Sequence, residues 1–185
     1  ASVCLVVLVS TGFAFAASSG RVGNPDGLLQ AQGLPRCATV QIPIFLDITS
    51  QLGAWGLPLT ISGGAQILSA TPGPALVLPF LTATGGFPGT SGVLNFTGGC
   101  LPAGTYPNIW TLTVQTPVNC TGTIVIDTAF FPPAGAFVVL DCGACPYGPF
   151  DWFKGEFPLE NKSPICGVNS DESLNFTGSV NKQLN

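Results

Sequence analysis

The chain has 185 residues, only 8% of them charged, and its five Lys and Arg against nine Asp and Glu leave a net charge of −4. Five bases are too few to line a phosphate-binding surface, which argues against nucleic acid as a partner. With no histidine anywhere, the usual general base and a common metal ligand are both missing, so neither a Ser-His-Asp nor a Cys-His site can be built from this chain alone.

The first element is the uncharged apolar run Ala1 to Ala16. Val3, Leu5, Val7, Val9, Phe13 and Phe15 occupy odd positions, and mostly small residues occupy even ones, the period of a strand with one bulky face. Such a strand must be buried somewhere, and donation into a neighbouring subunit's sheet is one solution; repeated head to tail, it builds a filament. The alternative is a secretory-signal remnant ending in the small-x-small step Ala14-Phe15-Ala16. No basic segment precedes the run, which favours the strand. A membrane anchor is disfavoured, because a span needs about 20 apolar residues.

Residues 17–37 are rich in Gly, Ser, Gln and Pro without apolar period and read as a linker. From Ala38 alternation takes over. Val40, Ile42, Ile44, Leu46 and Ile48 share a face, with Pro43 marking an edge or bulge. Trp55-x-Leu57-x-Leu59-x-Ile61 and Trp110-x-Leu112-x-Val114 follow the same rule and place both tryptophans in the core. Shorter runs lie at Ala75 to Leu81, Val93 to Phe96, Thr123 to Asp127 and Ala136 to Asp141, separated by Gly and Pro turns. This spacing predicts an all-β, antiparallel β-sandwich of about seven to nine strands over residues 38–141. Residues 142–185 read as an appendage held by disulfides, followed by a polar tail.

Seven cysteines in a chain without histidine point to disulfides and an extracytoplasmic location: Cys37, Cys100, Cys120, Cys142, Cys145, Cys166 and, where residues 1–16 are retained, Cys4. The odd count leaves one thiol free, removed with a signal, or paired with another chain. Cys142-Gly-Ala-Cys145 has the spacing of a redox or zinc motif but lacks a second C-x-x-C.

The succession Val40-x-Ile42-Pro-Ile44, Leu52-Gly-Ala-Trp55-x-Leu57-x-Leu59 and Ala65-x-Ile67-Leu68-Ser-Ala-Thr-Pro-Gly73 resembles the opening strands of cohesin-like modules. Pro102-Ala-Gly-Thr-Tyr106 with Ile109-x-Thr111-x-Thr113 resembles a later strand pair of that family. The resemblance implies a jelly-roll sandwich of the kind found in prokaryotic extracellular assemblies. The chain departs from it in its cysteines and in Ile61-Ser62-Gly63, where cohesins commonly carry an aromatic-Asp-Pro step.

Few residues offer chemistry. Asp127-Thr128-Ala129 is similar to the aspartic-protease signature, but its only approximate copy, Asp47-Ile48-Thr49, is poor, and that chemistry needs two carboxylates sharing a proton. No cofactor is expected; a structural calcium at the strand-end acids Asp47, Asp127 or Asp141 is the one metal considered. Tyr147, Phe150, Trp152 and Phe153, with Phe157, form either a binding platform or a flap sealing one end of the sandwich. Asn95, Asn119, Asn161 and Asn175 begin glycosylation sequons.

The sequence therefore predicts a secreted or cell-surface structural subunit that joins other copies of itself through its N-terminal strand. The alternative is a non-catalytic module binding an extracellular protein or glycan. A hydrolase using paired carboxylates comes third.

Overall fold

Alternating apolar and polar residues force strands with one inward face, and two such sheets close over each other to bury it. The computed structural model describes residues 17–24, 26–118, 122–133 and 135–160. In chain order these form β1 (Ser18–Val22), α1 (Leu28–Gln32), β2 (Thr39–Ile48), β3 (Leu52–Ile61), β4 (Gln66–Pro72), β5 (Leu81–Gly85), β6 (Ser91–Thr97), β7 (Gly104–Gln115), β8 (Thr123–Thr128), β9 (Val138–Asp141), β10 (Phe150–Phe153) and β11 (Gly155–Pro158). One sheet runs β10-β1-β2-β7-β4 and the other β11-β8-β3-β6-β5, with β9 also paired to β3. Every pairing is antiparallel except β1 with β10.

The inward phases are those the sequence indicates. Ile42, Ile44, Leu46 and Ile48 of β2 meet Trp55, Leu57, Leu59 and Ile61 of β3, joined by Leu94 and Phe96, Trp110, Leu112 and Val114, and Ile124 and Ile126. Removing one such side chain, for example by Leu57→Ala, costs about 2–5 kcal/mol because the close-packed core collapses only partly around the gap. Pro43 lies within an interior strand, and its tolerance there is local. Its carbonyl accepts from Gly23 N, just past the end of β1, so its missing N–H falls where the β1–β2 ladder ends. A bulge between Ile44 and Leu46 lies beside it.

Three expectations need correction. Residues 17–37 are not a linker: β1 lies between β2 and β10, and Leu34 is buried, with its N donating to Pro158 O and its O accepting from Glu160 N. The inward residues of β1 are Ser18, Gly20 and Val22, too small and polar to give an apolar period. Gly20 is required by close approach, because a Cβ there would lie 2.9 Å from the Trp152 ring.

The segment after Asp141 is likewise no appendage. Its strands β10 and β11 complete opposite sheets, and Phe157 is fully buried. Four-residue strands are too short to display a period. Finally, the run at Ala75 to Leu81 is mostly turn, and the strand is β5, beginning at Leu81. With these additions the strands number eleven among the described residues.

Candidate functional site

The outer face of the second sheet is built by the opposite phase of the strands that make the core. Ala54, Gly56, Pro58 and Thr60 of β3 point away from the interior, as do Val93, Asn95 and Thr97 of β6 and Leu81, Ala83 and Gly85 of β5. The register sets them in rows. Ala83 pairs with Asn95, Asn95 with Gly56, and Gly56 with Val138; a second row brings Leu81 to Thr97 and Ala54 to Leu140.

None of these residues is charged, although solvent-facing strand positions ordinarily carry charge. Leu81 and Val138 are 65% and 45% exposed, and Leu78, in the turn leading to β5, is 88% exposed. The charges of this sheet are Asp141 at the end of β9 and those of the β8–β11 flank, where Lys154 Nζ and Glu156 Oε1 lie 2.8 Å apart and Glu156 raises the Lys154 pKa by hydrogen bonding and charge attraction. An uncharged stretch with small residues at its middle admits a partner's backbone or apolar side chains closely, at little desolvation cost. Sequence reasoning attended to the inward phase and missed this one; the signal was the absence of charge between the core residues of β3, β5 and β6.

The aromatic residues do not gather into one exposed platform. Trp152 packs edge-on against Trp55 at 6.2 Å between centroids and at a tilt against Phe137 at 5.5 Å, while Phe137 meets Phe150 and Phe150 meets Tyr147. This chain closes the end of the sandwich, and Trp152 Nε1 is buried with no hydrogen-bond partner among the described residues. The Tyr147 hydroxyl donates to Ser50 O at 2.8 Å and accepts from Ser50 N at 3.1 Å. Phe153 turns outward, with the Arg21 guanidinium 5.0 Å from its ring centroid.

Cys142 is bonded to Cys100, so the C-x-x-C cysteines do not pair with each other; Cys145 and Cys37 are disulfide-bonded as well. The Asp141 carboxylate organises that turn by accepting from Gly143 N and Cys145 N at 2.8 and 2.9 Å.

Asp47 and Asp127 sit on the outer faces of opposite sheets, too far apart in the architecture to share a proton. Asp47 accepts from Thr105 Oγ1 and Asp127 from Thr128 N. Among the described residues no three His, Cys, Asp or Glu cluster as metal ligands, and no helix is long and apolar enough to cross a membrane. Val3, Leu5, Val7, Val9, Phe13, Phe15, Cys4, Cys120, Cys166, Asn119, Asn161 and Asn175 lie outside the described residues.

No protein-family model and no curated protein matches the chain. Solved structures do. A non-cellulosomal cohesin from the hyperthermophilic archaeon Archaeoglobus fulgidus superposes with a TM-score of 0.58 at 10% identity, over 78% of this chain and 92% of that one. The fold is cohesin-like.

The OlpC cohesin of Clostridium thermocellum, solved in a type I cohesin–dockerin complex, gives a TM-score of 0.58 at 16% identity over 82% of this chain and 99% of that one. The seventh ScaB type I cohesin of Pseudobacteroides cellulosolvens gives 0.59 at 10% over 80% and 96%. At these identities the likeness carries the cohesin-like architecture and leaves the partner to be argued from the surface.

Proposed function

We propose that the chain is a non-catalytic, extracellular binding module that holds a protein partner across the outer face of the β5-β6-β3-β9 sheet. The observation that carries this reading is the uncharged row Ala83-Asn95-Gly56-Val138, with the uncharged pairs Leu81–Thr97 and Ala54–Leu140 beside it. Its chemistry fits an apolar, uncharged protein surface with a hydrogen-bonding group opposite Asn95. Cohesins of the same architecture, such as that of Clostridium thermocellum, form complexes with dockerins, which supports a protein partner in preference to a sugar. The disulfides suit an oxidising, extracytoplasmic setting. Strand donation by residues 1–16 is not needed for this function.

The test is site-directed photocrosslinking with p-benzoylphenylalanine replacing Ala83, and Thr113 on the other sheet as control, in the secreted fraction of the source organism. A single protein adduct from position 83, lost on Gly56→Arg and missing from position 113, is the expected result. Equal adducts from both positions, or none, would sink the proposal. Adducts only to a second copy would return the filament reading to first place.

A further inference from the structure

The outer strand of a sheet has a row of backbone N–H and C=O groups without partners, and folds usually blunt that edge with a charge, a proline, a bulge or a covering loop. Among the described residues, all of the edges but one are blunted in this way. β4 is bonded through Ile67 N and O to Gly89, changes register between Ile67 and Ser69, and ends in Pro72. β9 is covered by the turn that follows it, where Cys145 O accepts from Asp141 N and Val139 O from Tyr147 N. β10 carries the exposed Asp151; β11 carries Glu156, paired with Lys154, and ends in Pro158.

The exception is β5. Leu81-Thr-Ala-Thr-Gly85 has no charge, no proline and no bulge, and its ladder to β6 is unbroken from Leu81–Thr97 to Gly85–Val93. Leu81, Thr82, Ala83 and Thr84 are all exposed, and no hydrogen bond among the described residues reaches the far side of the strand. Its two faces differ. Leu81, Ala83 and Gly85 continue the uncharged outer rows, and Leu78 just upstream stands 88% exposed. Thr82 and Thr84 share the inward phase of their partners Phe96 and Leu94 yet stay exposed, so the opposing sheet does not cover them.

We propose that the protein partner adds a strand to β5, using an extended, uncharged segment with apolar residues beside Leu81 and Ala83 and Thr-like residues beside Thr82 and Thr84. This rests on the outer face being the docking face, and it names the element of the partner that reaches that face. Main-chain bonds along β5 supply affinity, and the alternating side chains supply choice. Cross-strand hydroxyl pairs and apolar contact with Leu81 add to both.

A second copy of the chain fits this edge less well. Two β5 strands would meet over only five residues, far short of the roughly 800 Å² per side that a stable interface buries. They would also leave the row Ala83-Asn95-Gly56 uncovered. A partner that pairs with β5 and lies back across β6 and β3 buries edge and face together.

The test is amide hydrogen exchange of the full chain with a millimolar synthetic peptide of alternating Val and Thr, flanked by Lys for solubility. Exchange over Leu81–Gly85 is expected to slow about tenfold while β4 is unchanged. The same peptide N-methylated throughout cannot donate to β5 and is expected to have no effect. Gly56→Arg obstructs the face and leaves the edge intact, so protection by the peptide is expected to persist in that variant; loss of the position-83 adduct and loss of β5 protection are therefore separate failures. No slowing, equal slowing at β4 or with the N-methylated peptide, or slowing without peptide that grows with protein concentration, the mark of a second copy, would each overturn the proposal.

Discussion

Gly56 on β3 stands directly across from Asn95 on β6, and a Cβ at position 56 would come 3.2 Å from Asn95 Oδ1. The two residues form the centre of the uncharged face. Asn95→Arg places a flexible charge there without touching the core, so its effect on stability is expected to stay within about 0.5 kcal/mol. Its effect on crosslinking from position 83 is expected to be complete. A glycan on the Asn95 sequon would cover the same rows, and intact mass of the protein isolated from its source is therefore expected to show Asn95 unmodified.

Ser18, Thr49 and Tyr147 form one hydrogen-bonded group rather than three separate contacts. Ser18→Ala leaves Thr49 N without its acceptor and is expected to cost about 1–3 kcal/mol. Tyr147→Phe removes the donor to Ser50 O and costs a similar amount. Because the residues share partners, urea titration of the double variant is expected to give less than the sum by at least about 0.5 kcal/mol.

The close approach of Gly20 to Trp152 gives a sharper case. Gly20→Val drives a branched side chain into the ring and is expected to destabilise the fold by about 1–3 kcal/mol. Trp152→Ala in the same chain makes room, so the double variant should lose less than the sum of the single losses.

The Cys100–Cys142 disulfide spans 42 residues, which in the chain-entropy account contributes about 4 kcal/mol. Cys100→Ser with Cys142→Ser is expected to lower stability by up to that amount. Binding at the outer face would survive as long as the protein remains folded.

At alkaline pH the relevant group is Tyr106, whose phenol is pushed above its usual 10.0 by burial and donates to Pro102 O at 2.7 Å. The unfolded chain gives up this proton first. The contribution is therefore fully present below pH 10 and is lost as pH rises through the raised folded value. Thermal melts between pH 9 and 11.5 should fall less steeply for Tyr106→Phe than for the unaltered chain.

What could be read from the sequence follows from side-chain size. β2, β3 and β7 are long and present bulky residues inward, so their period of two is plain from Ile42 to Ile48 and from Trp55 to Ile61. β1 presents Ser18 and Gly20 to the interior, small because Trp152 and the Tyr147 hydroxyl occupy the space, and the size that makes the packing possible erases the signal. β10 and β11 put only two residues each on a face. The candidate binding face was hidden differently. Its residues are small, and only the register between strands makes Ala83, Asn95 and Gly56 neighbours.

The parallel pairing of β1 with β10 joins the first strand of the fold to one of its last. As the chain is synthesised from its N-terminus, β1 has an open edge beside β2 until β10 arrives. The fold is thus a late closer: β1 is vulnerable to edge-to-edge pairing until the last strands of the chain have been made. A chaperone that shields this edge would raise the yield of folded protein without changing the finished structure's stability.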